Sequence, residues 1–311
     1  MRQMNGLLSW RSSRPWRFNT VLLIATLFAL ANSAAAESGD LRVMSFNIRF
    51  AKAGHSEESS ENNWADADHP RRERAIRVVC DYKPDLLGVQ EAREGQIDDL
   101  RKALPEFEFY GVGRDDGKTG GEFSGIFYRK HRFTRMNAGS FWLSATPEQV
   151  GTTFSFNKLP RIASWVKLTD NKSGREFVYL NMHWDHQDES AREKAAALVL
   201  KQLAKIAGGM PTIVTGDLNS KESSPAFATL TAADKSGLKL LDSYRELNPK
   251  RSPDEASFDD WKGTIKGSRI DFVLHSAEFQ PTAAEIVRTN YDGRWPSDHY
   301  PVTATLRLSE K

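Results

Sequence analysis

The chain has 311 residues, and its 43 Lys and Arg residues nearly balance its 41 Asp and Glu residues. This balance excludes a protein that binds nucleic acid through a global positive field, although it leaves a local basic patch open. The single cysteine, Cys80, excludes an internal disulfide, so the hydrophobic core alone has to hold the fold.

The first 36 residues predict a secretory signal peptide. Four arginines make this leader basic, the apolar run 21–30 follows, and small residues occupy 32–36. An uncleaved membrane anchor is the alternative, but the run is well short of the ~20 apolar residues that a bilayer requires. We therefore expect cleavage after Ala36 and Sec-type export to the periplasm or the medium. Removing the four arginines leaves 39 basic against 41 acidic residues, a net charge of −2.

Residues 37–311 predict one domain, because no repeat, linker or low-complexity tract interrupts them. Apolar runs predict strands at Leu41–Phe46, Leu86–Val89, Phe107–Val112, Ser124–Tyr128, Ser164–Leu168, Phe177–Met182, Thr212–Thr215, Ile270–Leu274 and Val302–Leu308. Helical spacing predicts helices at Arg71–Tyr82, Gln96–Leu104 and Ser190–Ala207. Strands that partly alternate with helices and partly follow one another favour mixed sheets covered by helices. On the first helix we expect Cys80 to be a packed core thiol.

Acids, amides and histidines stand at or near the ends of these strands. Because strand ends build the binding crevice of layered α/β folds, we expect such side chains to meet in one site. The candidates are Asn47, Glu91, His183, His186, Asp217, Asn219, Asp271, Asp298 and His299.

Each candidate has a structural alternative. Glu91 follows a buried strand, where a hard cation such as Mg²⁺ is a suitable partner, and a helix cap or a salt bridge is equally open. Asp217 and Asn219 share one face of an extended segment and could hold a water and a phosphate oxygen, whereas an Asx turn is the alternative. Asp298 lies beside His299 in a segment bounded by prolines, and such a carboxylate could orient the imidazole of a general base.

The remaining candidates are weaker when taken alone. Asn47 offers an amide to a metal or phosphate but is also a common turn former. The polar residues around His183 favour a functional role for it, whereas for His186 a functional and a structural role are equally open. Asp271 could instead pair with Arg269 as a structural ion pair. The chain has no G-x-S-x-G, P-loop or G-x-G-x-x-G motif, so serine hydrolases and nucleotide-binding folds have no support.

The order of these motifs resembles the endonuclease/exonuclease/phosphatase superfamily. The motifs are S-F-N at 45–47, V-Q-E at 89–91, N-M-H at 181–183, G-D-L-N-S at 216–220, R-I-D at 269–271 and S-D-H at 297–299. The N-I-R, N-W and G-V-G-R-D-D segments look most like a secreted bacterial branch near the nocturnin-like deadenylases. The resemblance implies an α/β (α+β) four-layer sandwich, with two mixed sheets between helices and the site at one edge.

The resemblance also implies roles at the metal and the water. Glu91 would bind Mg²⁺ or Mn²⁺ with help from Asn47. Asp217 would align or activate the attacking water, and Asn219 would position it. Asp271 would support the metal or the leaving group.

Further roles concern the phosphate. His183 would contact the scissile phosphate, while His299, oriented by Asp298, would act as general base or stabilise the transition state. Which of Asp217 and His299 takes the proton stays open. Arg114, in a glycine-rich loop, and His186 could reach a substrate phosphate, with a solvated loop as the alternative for Arg114.

The sequence therefore predicts an exported, monomeric, divalent-metal-dependent hydrolase of phosphate esters: a phosphodiesterase, phosphatase or 3′–5′ exonuclease-like enzyme. Its substrate would be a nucleic acid, a phospholipid headgroup or a small phosphoester. A non-catalytic phosphate- or nucleic-acid-binding module on the same fold is one alternative, but it predicts losses among the site residues, and none is lost. A sphingomyelinase-like phospholipid hydrolase is the other, and the apolar hairpin that it requires is not evident.

Overall fold

The computed structural model describes residues 39–51, 62–65, 70–233 and 237–309. The predicted signal peptide and most of the polar segment 55–69 lie outside these ranges. The described strands are β1 Leu41–Asn47, β2 Leu86–Ala92, β3 Phe107–Tyr110, β4 Phe123–Arg129, β5 Phe133–Trp142, β6 Ile162–Asp170, β7 Glu176–His183, β8 Thr212–Asp217, β9 Leu241–Asp242, β10 Asp271–His275, β11 Phe279–Ile286 and β12 Val302–Leu308. The described helices are α1 Arg71–Tyr82, α2 Glu94–Ala103, α3 Glu189–Ala207, α4 Pro225–Thr231 and α5 Ser243–Leu247. No helix in these ranges is long and apolar enough to cross a membrane.

The strands form two six-stranded mixed sheets. The first has the order β11-β12-β1-β2-β4-β3, and the second has the order β5-β6-β7-β8-β10-β9. Two pairs are parallel, β1 with β2 and β7 with β8, and the other neighbours are antiparallel. The predicted fold class, two mixed sheets flanked by helices, is confirmed.

Three apolar layers explain why so many strand residues are buried on both faces. Side chains such as Val43 and Tyr179 pack between the two sheets. Met44, the neighbour of Val43, points the other way and packs with residues of α1 and α2. Val214 packs with Val199 and other residues of α3 on the outer face of the second sheet. Since both faces of each sheet are covered, their central strands read as near-continuous apolar runs.

The long helix α3 shows how local sequence sets an element. Its N-cap Asp188 accepts a hydrogen bond from the backbone N–H of Ala191, and Gly208 ends the helix in a left-handed conformation. Buried side chains at 195, 199 and 203 form the face that packs on the sheet. The predicted helix therefore begins one residue too late and ends correctly.

Two kinds of sequence prediction are corrected. The strands β5, β9 and β11 and the short helices α4 and α5 were missed, because β5 is exposed over much of its length and the others are short or weakly patterned. The prediction for Cys80 is wrong, since its thiol is exposed. Helix α1 turns Ala75, Val78 and Val79 toward the core, and one further residue carries the side chain about 100° round to solvent.

Candidate active site

The two parallel strand pairs bring the predicted residues to one edge of the sandwich. Asn47 ends β1 beside Gln90 of β2 in the first sheet. In the second sheet, His183 ends β7 opposite Asp217 at the end of β8, and Asp271 begins β10 opposite the same residue. The site is therefore built from strand ends, as the sequence predicts.

A buried hydrogen-bonded seam fixes the two sheets against each other beneath the site. The side-chain amide of Asn181 donates to the carbonyl oxygens of Val89 and Gly125, both at 2.9 Å, across the gap between the sheets. Its carbonyl oxygen accepts from Gln90 Nε2 at 2.7 Å and from Thr215 Oγ1 at 3.0 Å. All four bonds of Asn181 are made, so this seam sets the distance between residues that follow it on β2 and β8.

Three residues of the site have left-handed backbone conformations that non-glycine residues rarely adopt. These are Glu91 (φ 62°), Asn219 (φ 45°) and Arg49 (φ 54°). In β2 the pairing with β4 shifts between Val89 and Ala92, and this irregularity includes Glu91. Bulges of this kind re-aim side chains, and local strain of about 1–3 kcal/mol each is typical of functional sites.

The acidic side chains converge on Asn47. The Nδ2 group of Asn47 donates to Glu91 Oε1 at 3.1 Å and to Asp217 Oδ2 at 2.9 Å, and it lies 3.5 Å from His299 Nε2. The side-chain carbonyl oxygen of Asn47, Oδ1, accepts instead from the backbone N–H of Arg49. Asn47 thus bridges two carboxylates through its nitrogen, and metal ligation by its oxygen stays a prediction.

Structural and functional interpretations coexist at two of these acids. Asp217 Oδ1 accepts the backbone N–H of Asn219 at 2.9 Å, which is the Asx turn given as the alternative. The other oxygen, Oδ2, faces the cluster. Glu91 Oε2 similarly forms a salt bridge with Arg49 at 3.4 Å.

The partner of His299 corrects the sequence prediction. His299 Nδ1 lies 2.9 Å from Asp271 Oδ2, and Ser257 Oγ donates to the same carboxylate oxygen at 2.7 Å. Asp298 instead accepts from Ser297 Oγ and lies 3.6 Å from Arg49 Nε. Asp271, at the start of β10, therefore orients the imidazole, because its carboxylate reaches the ring nitrogen directly. The sequence predicted that Asp298 orients His299, and this prediction is wrong because the carboxylate in contact with the imidazole is that of Asp271.

The structural ion pair between Arg269 and Asp271, which was the alternative for Asp271, is not formed. Its guanidinium pairs with Asp242 and Glu222 rather than with Asp271. The carboxylate of Asp271 is thus left to Ser257 and His299.

Electrostatics divide the protons within the cluster. Burial lowers the pKa of His299, but the carboxylates of Asp271 and Asp217 outweigh burial and raise this pKa well above its usual value. Burial and the neighbouring Asp271 carboxylate raise the pKa of Asp217 to about 7. Burial opposes ionisation of Glu91, yet Arg49 and His299 hold its pKa below the usual value. The site therefore combines a protonated imidazole with a carboxyl group poised to exchange a proton near neutral pH.

A cationic wall formed by Arg161 and Arg114 faces this cluster, and the sequence predicted only Arg114. Arg161, at the entry to β6, is 95% buried, since its exposed fraction is 5%. Its Nη1 lies 3.1 Å from His183 Nδ1, its Nη2 lies 2.8 Å from His186 Nδ1, and Asp185 is 3.9 Å from its Nε. Among the described residues Arg161 Nε has no hydrogen-bond partner. An arginine in an unremarkable apolar stretch gives no local signal, so only the fold identifies it.

Both histidines beside this arginine are kept neutral. Burial and the positive charge of Arg161 lower the pKa of His183 well below its usual value and also lower that of His186. His183 Nε2 lies 3.1 Å from Asn219 Nδ2 and 3.5 Å from Asp217 Oδ2. His183 thus links the cationic wall to the acidic cluster.

Arg114 lies at the outer end of the same wall. Its Nη1 pairs with Glu122 Oε2 at 2.7 Å, so it belongs to an ion pair at the pocket rather than to a solvated loop. Burial raises the pKa of Glu122 despite this arginine. A role for Arg114 or His186 in holding a substrate phosphate stays a prediction.

These groups line a pocket of about 550 Å³. Eight of the ten predicted site residues line it, whereas Asn47 and Asp271 lie beneath it and reach it through their neighbours. The lining residues that the sequence did not identify are Arg49, Phe50, Glu122, Leu159, Arg161, Phe258, Asp260 and Ile270.

The donor set suits a hard divalent cation. Glu91, His183 and Asp217 offer ligand atoms within 4.8 Å of one another, and Asp217, Asp271 and His299 form a second such group. Crowded buried carboxylates raise the pKa of Asp217, and a cation would relieve that repulsion. Carboxylate oxygens are the ligands that Mg²⁺ and Mn²⁺ prefer.

The sequence profile of the endonuclease/exonuclease/phosphatase family matches residues 44–299. This match spans the acidic cluster, the His299–Asp271 pair and the cationic wall. The chain belongs to that family, and the family predicted from its motifs is confirmed. The prediction of an enzyme of the phosphoester-hydrolysing nuclease/phosphatase class is confirmed at the same level.

Several solved structures are similar over most of the chain. A family member from Bacteroides vulgatus is 32% identical with a TM-score of 0.76, covering 87% of this chain and 99% of its own. A mannosyl-6-phosphatase from Bacteroides thetaiotaomicron is 31% identical with a TM-score of 0.74, covering 86% and 100%. The human nocturnin catalytic domain, at 20% identity and a TM-score of 0.66, shares the fold over 87% of this chain and 94% of its own.

One curated relative matches a smaller part of the chain than these structures do. An uncharacterised protein of Acanthamoeba polyphaga mimivirus is 28% identical over 138 residues, which is 37% of this chain and 20% of that protein. The chain therefore spans about a fifth of that relative.

Proposed function

We propose that this protein is a divalent-metal-dependent phosphomonoesterase that releases phosphate from a small ester such as a hexose phosphate. One observation carries the proposal: buried Arg161 and the acidic cluster line the same pocket and face each other across it. A phosphomonoester carries one more negative charge than a diester, and the guanidinium of Arg161 at the pocket wall suits that charge.

The pocket chemistry favours a small ester over a polymer. Asp260 and Glu122 line the pocket beside the arginines, so its walls carry both signs of charge. A nuclease needs a continuous basic groove that follows a phosphate backbone. The mannosyl-6-phosphatase relative, at 31% identity over nearly its whole length, supports a sugar phosphate.

We assign the cation, Mg²⁺ or Mn²⁺, to Glu91, with Asn47 holding this carboxylate beside that of Asp217. When bound, the cation supplies positive charge that offsets the negative charge on the phosphoryl oxygens. His183 is kept neutral, so its imidazole is available as a further ligand or as a hydrogen-bond donor to phosphate.

In the proposed reaction different residues accept the proton of the attacking water and stabilise the negative charge on the phosphoryl oxygens. Asp217, with its pKa near neutral pH, accepts a proton from the attacking water, and the amide of Asn219 orients that water. His299 is protonated and held by Asp271, so its Nε2–H donates to a phosphoryl oxygen as negative charge develops. Arg161 binds the oxygens on the opposite side. As the water oxygen bonds to phosphorus, the bond between phosphorus and the ester oxygen breaks, and the leaving alkoxide takes a proton from water at the mouth of the pocket.

A phosphoester panel tests this function. The purified protein would be assayed with Mg²⁺, with Mn²⁺ and with EDTA on hexose phosphates, bis-p-nitrophenyl phosphate, RNA, DNA and sphingomyelin. We expect hydrolysis of the monoesters, loss of activity in EDTA, and recovery when either metal is restored. Glu91→Gln is the matched variant, since it keeps the side-chain shape and removes the charge. Full activity in EDTA would contradict the metal, and faster hydrolysis of a diester would contradict the monoesterase.

A further inference from the structure

An exposed aromatic side chain stands at the mouth of the pocket. Phe258 is 41% exposed, and its ring packs at a tilt against the imidazole of His299, with 4.9 Å between the ring centroids and 57° between the planes. Leu159, 37% exposed, also lines the pocket. Exposed apolar area of this kind is costly in water and is covered when an apolar surface binds against it.

The segment that carries Phe258 is tied to the catalytic residues by its backbone. We call residues 257–263 the aromatic loop. Phe258 bridges to His299 as an antiparallel pair, and the backbone N–H of Asp259 donates to the carbonyl oxygen of Asp298 at 2.9 Å. Ser257 Oγ holds the Asp271 carboxylate at 2.7 Å. The Phe258 ring is therefore preorganised relative to the phosphate position rather than being a loose surface side chain.

A carboxylate lies next to this ring. Asp260 lines the same pocket, and its backbone has a left-handed conformation (φ 51°). The backbone N–H of Asp260 donates to the Asp298 carbonyl oxygen at 3.3 Å, which helps to hold it there. Its side chain is about half exposed and pairs with the exposed Lys262 at 2.6 Å. An aromatic face beside a charged acceptor matches a ring with one apolar face and hydroxyl groups at its edge, which is a pyranose.

We propose that the aromatic loop is the leaving-group subsite, where Phe258 stacks on the apolar face of a pyranose and Asp260 accepts hydrogen bonds from its hydroxyls. This inference rests on the proposed phosphomonoesterase function and specifies its substrate. Phe258 and Asp260 line the same pocket as Arg161 and His299, so a leaving group that extends from a phosphate bound there would meet Phe258.

Steady-state kinetics with two esters tests the subsite. We would measure kcat and KM for a hexose 6-phosphate, which has a ring, and for glycerol 3-phosphate, which does not. Phe258→Ala should raise KM for the hexose ester by about tenfold and leave KM for glycerol 3-phosphate within about twofold, because only the ring stacks. Phe258→Trp should preserve the low KM for the hexose ester. Asp260→Asn should raise the same KM by about three- to tenfold.

The control is Phe156→Ala, which removes an exposed phenylalanine that does not line the pocket and should change neither ester. Equal KM changes for both esters in Phe258→Ala, or a fall in kcat with an unchanged KM ratio, would mean that Phe258 only packs on His299, and would overturn the subsite. Wild-type protein that hydrolyses neither ester would overturn the proposed function and this inference with it. Wild-type hydrolysis of both esters with unaltered KM values in Phe258→Ala and Asp260→Asn would overturn the inference alone.

Discussion

Asp271 and Asp298 are two of the three carboxylates near His299, and they act on its charge unequally. Asp271 touches Nδ1 at 2.9 Å, whereas Asp298 faces Ser297 and Arg49. A carboxylate in direct contact stabilises the imidazolium more than one that is paired elsewhere. Because this carboxylate raises the pKa of His299, removing it lowers that pKa toward its usual value.

Asp271→Asn should therefore lower the pKa of His299 by more than Asp298→Asn does. NMR titration of the imidazole in EDTA measures both shifts without a bound cation. Asp271→Asn should also lower kcat by at least ~10²-fold, since the imidazole loses its orientation and its charge. A larger pKa change in Asp298→Asn would restore the pairing predicted from the sequence.

In the proposed function Arg161 carries the charge that faces the phosphate. We expect Arg161→Gln to lower kcat/KM by about 10²–10³-fold, because one preorganised donor to developing negative charge is lost. Arg161→Lys should recover part of this loss, since a lysine keeps the charge but not the planar pair of donors. Phosphomonoesterase assays at saturating Mn²⁺ give both values.

The matched control for this prediction is another buried arginine. Arg132 is 4% exposed and pairs with Asp85 and Asp170 away from the pocket. Arg132→Gln should lower the free energy of unfolding while leaving kcat unchanged. Equal losses of activity in the two variants would show that Arg161 contributes only to stability.

At the residue scale the sequence predicted the acids, amides and histidines but not their partners. Asp217 and Glu91 follow apolar strands, and a polar residue at a strand end is a local signal. The contact between Asp271 and His299 spans 28 residues and depends on how the two sheets meet, so no local pattern contains it. Arg161 precedes a strand in sequence without any motif, and its role follows only from its burial beside His183.

At the scale of the elements, the seam between the sheets sets the geometry of the site. Gly88 lies in β2 where the second sheet approaches closely. A Cβ at this position would lie 2.3 Å from Thr215 Oγ1 and 2.5 Å from Asn181 Oδ1. Both groups belong to the seam, so a methyl group there would push β2 away from β7 and β8.

Gly88→Ala should therefore lower the free energy of unfolding by about 1–3 kcal/mol through overpacking. It should also reduce activity, since Glu91 follows on the same strand. Gly95→Ala is the control: outside its chain neighbours and its own helix backbone, a Cβ there meets no atom within 4 Å, so alanine in the first turn of α2 should not lower the free energy of unfolding. Urea denaturation of both variants gives the comparison, and an unchanged stability in Gly88→Ala would contradict the tight seam.

The elements also show where sequence patterns are sufficient. The buried central strands were predicted because both of their faces are apolar. The strand β5 was missed because it is exposed over much of its length, so its pattern resembles a loop. The two residues of β9 are too few for any periodicity.

At the scale of the whole molecule, charge and the leader suggest where the enzyme works. The whole chain carries a formal net charge of +2, and without the four leader arginines it carries −2. We propose that the mature protein is an exported monomer.

Expression of the full chain in a Gram-negative host tests this proposal. Because small residues end the leader at Ala36, we expect signal peptidase to cleave there, so that the mature chain begins at Glu37. N-terminal sequencing of the periplasmic fraction and intact mass measure this directly. Replacing apolar Leu27 by Arg within the run 21–30 is the matched control, and it should trap the uncleaved chain in the cytoplasm. A full-length chain that stays with the membrane would instead support the uncleaved anchor. Size-exclusion chromatography of the cleaved protein would then report whether it is a monomer.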